Sequence, residues 1–220
     1  MATERVEKKR ILVLISGSGS NLQALIDACA DNTIPHAQIV HVVSDRKDAY
    51  GLQRAQAANI PTSHHGILPF KKQYPDTTSP PAFTEAREAY DTRLAEIVLG
   101  EKPDIVVCAG FMRIVTPSFL DPLQSAGVPI INLHPSLHGD LIGAGCIERA
   151  WREFEEGKRA KTGVMVHFVI RDVDMGAPIL EREVQVQGCG TLGELEERIH
   201  GVEHGVIVEG TRKVLGGGVG

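Results

Sequence analysis

The sequence lacks the marks of several specialised protein classes. Its 220 residues include four cysteines at scattered positions with no Cys-x-x-Cys pair, which argues against a disulfide scaffold and a cysteine zinc site. We interpret the cysteines as reduced thiols that mostly pack. No apolar run approaches the roughly 18 residues that a membrane span needs, and the charged start has no apolar signal core. These absences predict a cytoplasmic protein with no membrane partner.

A positive charge balance is missing as well. The chain has 23 Lys and Arg against 28 Asp and Glu, a formal net charge of −5, so no overall basic field would attract a nucleic acid. Hydrophobic residues make up 42% and charged residues 23%, which is typical of a globular protein. The predicted partners are therefore small molecules and not nucleic acids.

Strand and helix patterns alternate along most of the chain. Continuous apolar runs predict buried strands at residues 11–15, 39–43, 105–108 and 129–133, and a short strand that begins near residue 60. Helical spacing predicts helices that start after residue 21 and that cover 50–58, 85–99, 118–123 and 192–215. Partial alternation predicts an antiparallel pair at 163–170 and 179–186.

This order of elements predicts one α/β domain over residues 1–220. Apolar strands that alternate with helices are typical of a mostly parallel, Rossmann-like sheet with helices on both faces, here with an antiparallel extension in the last third. Residues 66–84 carry four prolines and are predicted to form a surface loop. Residues 1–10 and 216–220 are predicted to be frayed.

A glycine turn follows the first predicted strand. Residues 17–21 read Gly-Ser-Gly-Ser-Asn and precede a helix pattern, so unpaired N–H groups and the positive end of the helix dipole meet there. The turn lacks the third glycine of a dinucleotide fingerprint and the Gly-Lys-Ser/Thr ending of a P-loop. A single phosphate monoester held by Gly19, Ser20 and Asn21 is one interpretation, and a tight turn capped by Ser20 is the other.

An Asn-x-His-Pro-Ser segment stands at the carboxyl end of a predicted parallel strand, where ligands of open α/β sheets usually bind. Because residues i and i+2 of a strand project to the same side, Asn132 and His134 can face one reacting centre. Asn132 can stabilise a developing oxyanion, and His134 can exchange protons near neutral pH. A polar pair that only satisfies a strand end is the alternative.

The carboxylate that would hold this histidine is expected in the turn at residues 171–176. Both Asp172 and Asp174 lie there, and plain turn chemistry explains either one. Asp174 becomes the partner of His134 only if the turn folds back over it.

A metal site is the rival use of the nine histidines. His134 and His138 are four residues apart, but a proline and a glycine oppose a continuous helix. His200 and His204 can share a helix face, with no third ligand near them in sequence. A serine hydrolase is poorly supported, because the turn at residues 16–20 has the wrong serine phase. No metal is predicted.

Four stretches, in order, resemble the phosphoribosylglycinamide (GAR) formyltransferases of purine biosynthesis. They are residues 15–25, Ala-Gly-Phe-Met-Arg-Ile at 109–114, residues 132–137 and residues 166–179. The resemblance covers about residues 11–215. The His-Pro-Ser element is shared with other enzymes that use 10-formyltetrahydrofolate, whereas the glycine turn together with Ala-Gly-Phe-Met-Arg-Ile is much more specific. Residues 147–151 and 162–167 look like the fungal branch of the family.

The resemblance implies a role for each matching residue. The catalytic residues would be Asn132, His134 and Asp174. GAR would be bound through its phosphate, glycinamide and ribose by Gly17, Ser18, Gly19, Ser20, Asn21, Arg87, Gly110 and Glu203. The co-substrate 10-formyltetrahydrofolate would be bound by Met112, Arg113, Ile114, Val115, Ile170, Arg171, Asp172, Val173 and Asp174. A monomer and a homodimer both stay open.

The implied reaction begins when the glycinamide amine attacks the formyl carbon. Asn132 and protonated His134 would stabilise the tetrahedral oxyanion, Asp174 would favour the charged imidazole, and the folate N10 would leave with a proton. An anchored phosphate would hold the distant amine near the carbon.

One stretch departs from the family pattern. Residues 138–145 read His-Gly-Asp-Leu-Ile-Gly-Ala-Gly, where family members often have a Leu-Pro or Pro-Gly sequence, so we expect a different loop geometry beside the substrate. Two alternatives to a GAR enzyme stay open. One is another formyltransferase or a hydrolase that uses 10-formyltetrahydrofolate, and the other is a catalytically silent domain that binds a phosphometabolite.

Overall fold

The structure, a computed structural model, describes residues 7–74 and 80–217, with the backbone alone for residues 80–84. The chain divides into two compact units, Met1–Ile130 and Ile131–Gly220. We refer to them as the N-terminal unit and the C-terminal unit.

In the N-terminal unit, strands and helices alternate along the chain. Its described elements are β1 (Lys9–Ile15), α1 (Ser20–Ala30), β2 (Ala37–Ser44), α2 (Tyr50–Ala57), β3 (Thr62–His64), α3 (Leu68–Gln73), α4 (Pro80–Gly100), β4 (Ile105–Cys108) and α5 (Pro117–Ser125). The strands lie side by side in the order β3-β2-β1-β4, and all three pairings are parallel.

β1 lies at the centre of this parallel sheet because it is apolar on both faces. Residues 11–15 are fully buried, and Ile11 pairs with Ile39 of β2 and with Ile105 of β4. A strand buried on both faces needs helices above and below it. Since β1 and β4 run parallel, the residues that follow them leave the sheet at the same edge.

The C-terminal unit is antiparallel. Its elements are β5 (Ile130–His134), whose first residue closes the N-terminal unit, α6 (Cys146–Glu155), β6 (Lys161–Phe168), β7 (Pro178–Gln185) and α7 (Leu192–Leu215). β6 pairs with β5 on one side and with β7 on the other. α7 packs on β6 and β7, and a Cβ on Gly210 would come within 2.8 Å of Val166, so this helix lies very close to the sheet.

These elements confirm the predicted α/β class, with parallel strands, interleaved helices and an antiparallel extension in the last third. A single domain over residues 1–220 stays a prediction. All four cysteines are free thiols, of which Cys29 is half-buried and the others are buried. Among the described residues, no helix has both the length and the apolar character of a membrane span.

The predicted surface loop at residues 66–84 is wrong for residues 68–73 and 80–84, which are helical. α3 occupies Leu68–Gln73, and α4 begins at Pro80, while residues 75–79 lie outside the described residues. Proline is favoured in the first turn of a helix, where its missing N–H is not needed, and Pro69 stands in the first turn of α3. Pro69 and Pro80 therefore mark helix starts.

The predicted fraying at residues 1–10 is wrong for residues 9 and 10, which begin β1. The Arg10 N–H donates to a carboxylate oxygen of Asp104 at 2.7 Å, so long-range contacts hold this start. At the other end, the Gly216 N–H donates to the Arg212 carbonyl at 3.0 Å, which prolongs the turn structure of α7. Residues 1–6 and 218–220 lie outside the described residues.

α6 was not predicted from the sequence. Ile147, Ala150, Trp151 and Phe154 have the i, i+3, i+4, i+7 spacing that would have indicated it. The helix starts after Gly145, whose φ of 68° belongs to the left-handed region.

Candidate active site

The glycine turn of the N-terminal unit joins β1 to α1. Gly19 is the N-cap of α1 with φ of 71°, and a Cβ at this position would lie 2.5 Å from the Cα of Gly51. Position 19 therefore accepts only glycine, because any side chain there would collide with the first turn of α2. The alternative of a Ser20 cap is wrong, because Ser20 is the first residue of the helix and no side chain caps the turn. The first turn of α1 thus meets the condition for binding an anion.

Arg54 of α2 adds a positive charge beside this turn. Its Nε donates to the Ser18 carbonyl at 2.9 Å and its Nη1 donates to the Gln23 Oε1 at 3.4 Å, while the guanidinium lies 5.0 Å from the centre of the Tyr50 ring. Arg54 was not among the site residues predicted from the sequence, although its place four residues after Tyr50 puts both on one helix face. A cation next to a helix N-terminus favours an anionic ligand.

Residues 109–116, which follow β4, have no helix or strand and are held by side chains. Gly110 has φ of 75°, and its carbonyl accepts the Ser16 N–H at 3.0 Å. Ser16 Oγ in turn accepts the Met112 N–H at 2.8 Å. The side chains of Met112 and Ile114 are left 78% and 60% exposed, so the segment presents apolar groups to the surroundings.

Arg87 and Asp91 of α4 fix the second half of this segment. Arg87 donates to the Ile114 carbonyl, and Asp91 Oδ2 accepts the Thr116 N–H at 2.7 Å. Asp91 is completely buried, and this burial raises the pKa of its carboxyl above the ordinary value although the bonds from Thr116 oppose the shift. The structure thus brings Arg87, implied for GAR, into contact with Ile114, implied for the folate.

Arg113 makes an ion pair in the same place. Its Nε lies 2.8 Å from Asp45 Oδ2, and its guanidinium lies 5.1 Å from the centre of the Tyr90 ring. The charge of Arg113 is therefore balanced by a carboxylate that is only 6% exposed. The backbone of residues 112–115 and their apolar side chains, including half-buried Val115, carry no charge of their own.

In the C-terminal unit, β5 ends at His134, and Pro135 directly follows it. The His134 side chain is buried, with its Nε2 2.7 Å from the Leu141 carbonyl. A carbonyl oxygen can only accept, so Nε2 carries the proton of this bond. The other ring nitrogen, Nδ1, lies 3.5 Å from Asp174 Oδ2.

The turn after β6 brings Asp174 back to His134, which meets the condition set by the sequence. Gly176 makes this possible, because a Cβ there would lie 1.7 Å from the Phe168 carbonyl oxygen. Burial raises the pKa of the Asp174 carboxyl, but contacts with His167 and the Gly143 N–H, together with the imidazole charges, outweigh it and leave the pKa below its ordinary value. Asp174 is therefore the carboxylate of the histidine.

His167 completes the group, although no role was predicted for it from the sequence. It lies opposite Asn132 in the β5–β6 register; its Nε2 is 3.3 Å from Asn132 Nδ2 and 3.5 Å from Asp174 Oδ1. Its Nδ1 donates to the Phe168 carbonyl at 2.9 Å. Only the strand register could have identified it. We call Asn132, His134, His167 and Asp174 the imidazole cluster.

The other residues implied for substrates in this unit lie on α7 and on the turn after β6. Glu203 is 7% exposed on α7. Ile170, Arg171 and Asp172 are exposed, and Val173 is half-buried.

A metal site has no support in the described ranges 7–74 and 80–217, where no three His, Cys, Asp or Glu side chains are grouped to hold an ion. His138 does not share a helix with His134, because residues 135–145 are irregular and α6 begins at Cys146.

Comparisons with known proteins agree in their outcome. The model of the formyl transferase family matches residues 9–211 and so spans both units. The chain is 45% identical over 206 residues to phosphoribosylglycinamide formyltransferase of Schizosaccharomyces pombe, covering 93% of this chain and 96% of the relative. It is 47% identical over 210 residues to the protein of the same name from Saccharomyces cerevisiae, covering 94% and 97%.

Solved structures give the same result for the fold. The chain is similar to glycinamide ribonucleotide transformylase 1 from Symbiobacterium toebii, with a TM-score of 0.79, 36% identity, and coverage of 97% of this chain and 90% of that one.

Proposed function

The chain belongs to the formyl transferase family, and from this premise we propose that it transfers the formyl group of 10-formyltetrahydrofolate to the glycinamide amine of GAR. The products are the N-formyl nucleotide and tetrahydrofolate, and the reaction belongs to purine biosynthesis. The contact of 3.5 Å between His134 and Asp174 carries the proposal, because it supplies a proton-exchanging group and its counter-charge in a chain so similar to the named enzymes.

The reaction needs one developing charge to be stabilised and one proton to be delivered. When the amine attacks the formyl carbon, the formyl oxygen becomes an oxyanion, for which the Asn132 amide is the proposed donor. The Nε2 proton of His134 is engaged by the Leu141 carbonyl. We therefore assign the proton exchange to Nδ1, where the negative charge of Asp174 stabilises a positive ring.

The tetrahedral intermediate collapses when the bond between the formyl carbon and the folate N10 breaks. The attacking amine has lost a proton by then, and N10 leaves as an amine that has gained one, so protons balance. His134 is the proposed carrier of that proton. His167, in contact with both Asn132 and Asp174, is the proposed support that orients their side chains.

We assign the GAR phosphate to the glycine turn. The residues proposed for it are Gly17, Ser18, Gly19, Ser20 and Asn21. The assignment is supported by a helix N-terminus without a capping side chain and by the Arg54 guanidinium beside it. Arg87 is proposed for the same region, Gly110 for the glycinamide and Glu203 for the ribose.

The folate assignment follows the resemblance. We propose Met112, Arg113, Ile114 and Val115, with Ile170, Arg171, Asp172, Val173 and Asp174, as the residues that contact 10-formyltetrahydrofolate. Exposed Met112 and Ile114 support the first stretch, since a pterin ring binds well against apolar groups. The family implies small-molecule substrates, and the cytoplasm is the compartment that we propose for this chain.

An assay with both substrates tests the function. The purified chain is mixed with GAR and 10-formyltetrahydrofolate, and tetrahydrofolate and N-formyl nucleotide are quantified by liquid chromatography. We expect the two products in equal amounts only when GAR is present. Release of free formate without GAR would indicate a hydrolase. No conversion of 10-formyltetrahydrofolate, with or without GAR, would indicate a silent binding domain.

A further inference from the structure

Two main-chain groups of residues 138–145 contact the catalytic pair. The Leu141 carbonyl accepts the Nε2 proton of His134 at 2.7 Å, and the Gly143 N–H donates to Asp174 Oδ2 at 2.9 Å. The conformation of the segment therefore decides which ring nitrogen of His134 carries the fixed proton. It also decides where the Asp174 carboxylate stands.

The segment has little structure of its own. It belongs to no helix or strand, and Gly139, Gly143 and Gly145 have φ values of 73°, 78° and 68°. A Cβ on Gly139 or Gly143 would meet no atom within 4 Å, so close packing does not confine these two positions. Glycine loses more conformational freedom on ordering than any other residue, and other contacts must hold the segment in place.

Side chains provide those contacts. Ser136 Oγ accepts the Leu141 N–H at 3.0 Å, and Arg149 of α6 donates to the Ile142 carbonyl at 2.5 Å. Asp140 accepts two bonds from Arg159, at 2.6 and 2.8 Å. Because a bidentate pair between a guanidinium and a carboxylate is among the strongest polar contacts, the Asp140 contact is the strongest of these three.

Arg159 connects the segment to two regular elements. Its Nε donates to Glu153 of α6 at 2.8 Å, and its Nη1 donates to the carbonyl of Lys161, the first residue of β6, at 3.1 Å. Its side chain is only 14% exposed. The hydrogen bonds from Arg159 hold the pKa of Asp140 below the ordinary carboxyl value, as expected for a persistent pair.

We propose that the Arg159–Asp140 ion pair is a positioning device for the catalytic pair, through the Leu141 carbonyl and the Gly143 N–H. The kinetic part of this inference rests on the proposed function. Asp140 is the neighbour of Leu141, so loss of the pair frees the carbonyl that fixes the His134 proton. Neither Arg159 nor Asp140 is among the residues proposed to contact a substrate, so we expect the effect to fall on kcat while the KM values stay nearly constant.

Kinetics of four variants give the first test. Arg159→Met removes the donors and keeps the alkyl stem, Arg159→Lys keeps the charge without the fork, and Asp140→Asn weakens the other end. The control Lys158→Met breaks a neighbouring exposed pair with Glu156. We expect Arg159→Met to lower kcat roughly 10- to 100-fold with both KM values within about twofold, Arg159→Lys to recover part of the loss, and Lys158→Met to match the wild type. A wild-type kcat in Arg159→Met overturns the proposal.

Long-range ¹H–¹⁵N NMR of the unliganded protein gives the second test, which needs no activity. We expect the His134 ring to show one fixed Nε2 proton in the wild type and in Lys158→Met, and an averaged signal in Arg159→Met. An unchanged His134 signal in Arg159→Met overturns the proposal whatever the activity. If the wild type has no GAR-dependent activity but the signals differ as expected, the proposed function fails and the positioning role stands. If Arg159→Met does not fold, Asp140→Asn and Arg159→Lys are judged by the same signals.

Discussion

Two irregular segments of this molecule are held in the same way but expose different groups. Residues 109–116 in the N-terminal unit and 138–145 in the C-terminal unit both lack regular structure, and in both, side chains hydrogen-bond to the main chain. In the first segment the main-chain groups are tied to the scaffold, and the Met112 and Ile114 side chains are left exposed. In the second, main-chain groups contact His134 and Asp174 themselves. We expect the first segment to present a binding surface for the substrates and the second to position the groups that exchange protons.

Two carboxylates, buried Asp91 and half-buried Asp174, differ in the direction of their pKa shifts. Asp91 is surrounded by too few donors to offset burial, so its pKa is raised. Asp174 also experiences burial, but two imidazoles and a main-chain N–H outweigh it, and its pKa is lowered. The comparison implies that changes in the N-terminal unit act on substrate affinity and that changes in the imidazole cluster act on the rate.

The largest expected effect comes from the imidazole cluster. His134→Ala and Asp174→Ala should each lower kcat by at least about 100-fold, because proton transfer and its counter-charge are lost. Steady-state kinetics with circular dichroism to confirm folding is the measurement, and His200→Ala, an exposed histidine on α7, is the control. Near-normal turnover in either variant would remove that residue from the mechanism.

A smaller effect is expected at the glycine turn. The double variant Ser20→Ala with Asn21→Ala should raise the KM for GAR at least about 10-fold, because each hydrogen bond to a charged group contributes about 1.5–3 kcal/mol, while kcat changes little. Ser125→Ala at the end of α5 is the control, since its hydroxyl only bonds the Asp121 carbonyl. An unchanged KM would mean that the turn is structural, and a lower kcat at constant KM would contradict the division between the two units.

The smallest effect concerns stability against pH. Since the folded pKa of Asp174 is lowered, its contribution is present above the unfolded value of about 3.9 and is lost as the pH falls through the folded pKa. The folded pKa of Asp91 is raised. Its contribution to the free energy of unfolding is therefore fully present below the unfolded value of about 3.9 and is lost as the pH rises through the folded pKa.

Urea unfolding between about pH 3 and about pH 6 measures both contributions, and each variant is the control for the other. The free energy of unfolding of Asp174→Asn should fall further below that of the wild type as the pH rises. The free energy of unfolding of Asp91→Asn should rise relative to that of the wild type over the same range. The reason is that the amide of the variant still accepts the Thr116 N–H but carries no buried charge. If the stability of both variants relative to the wild type changed in the same direction with pH, the opposite pKa shifts of Asp91 and Asp174 would be contradicted.

The sequence by itself determined the elements with strong local patterns. Fully apolar runs placed β1 and β4, and helical spacing placed the helix at 192–215, because backbone periodicity is a local property. It also supplied Asn132 and His134 as neighbours on a strand. Prolines misled the prediction at residues 68–73, where Pro69 lies in the first turn of a helix, and α6 was missed although its spacing was present.

Only the tertiary structure decided the contacts between distant residues. Nothing local separates Asp174 from Asp172 or pairs Asn132 with His167, because strand register and the path of the turn at Gly176 set those distances. The same holds for the ion pair of Arg113 with Asp45 and for that of Arg159 with Asp140. Local spacing fixes which face a side chain occupies, whereas packing of whole elements fixes what that face meets.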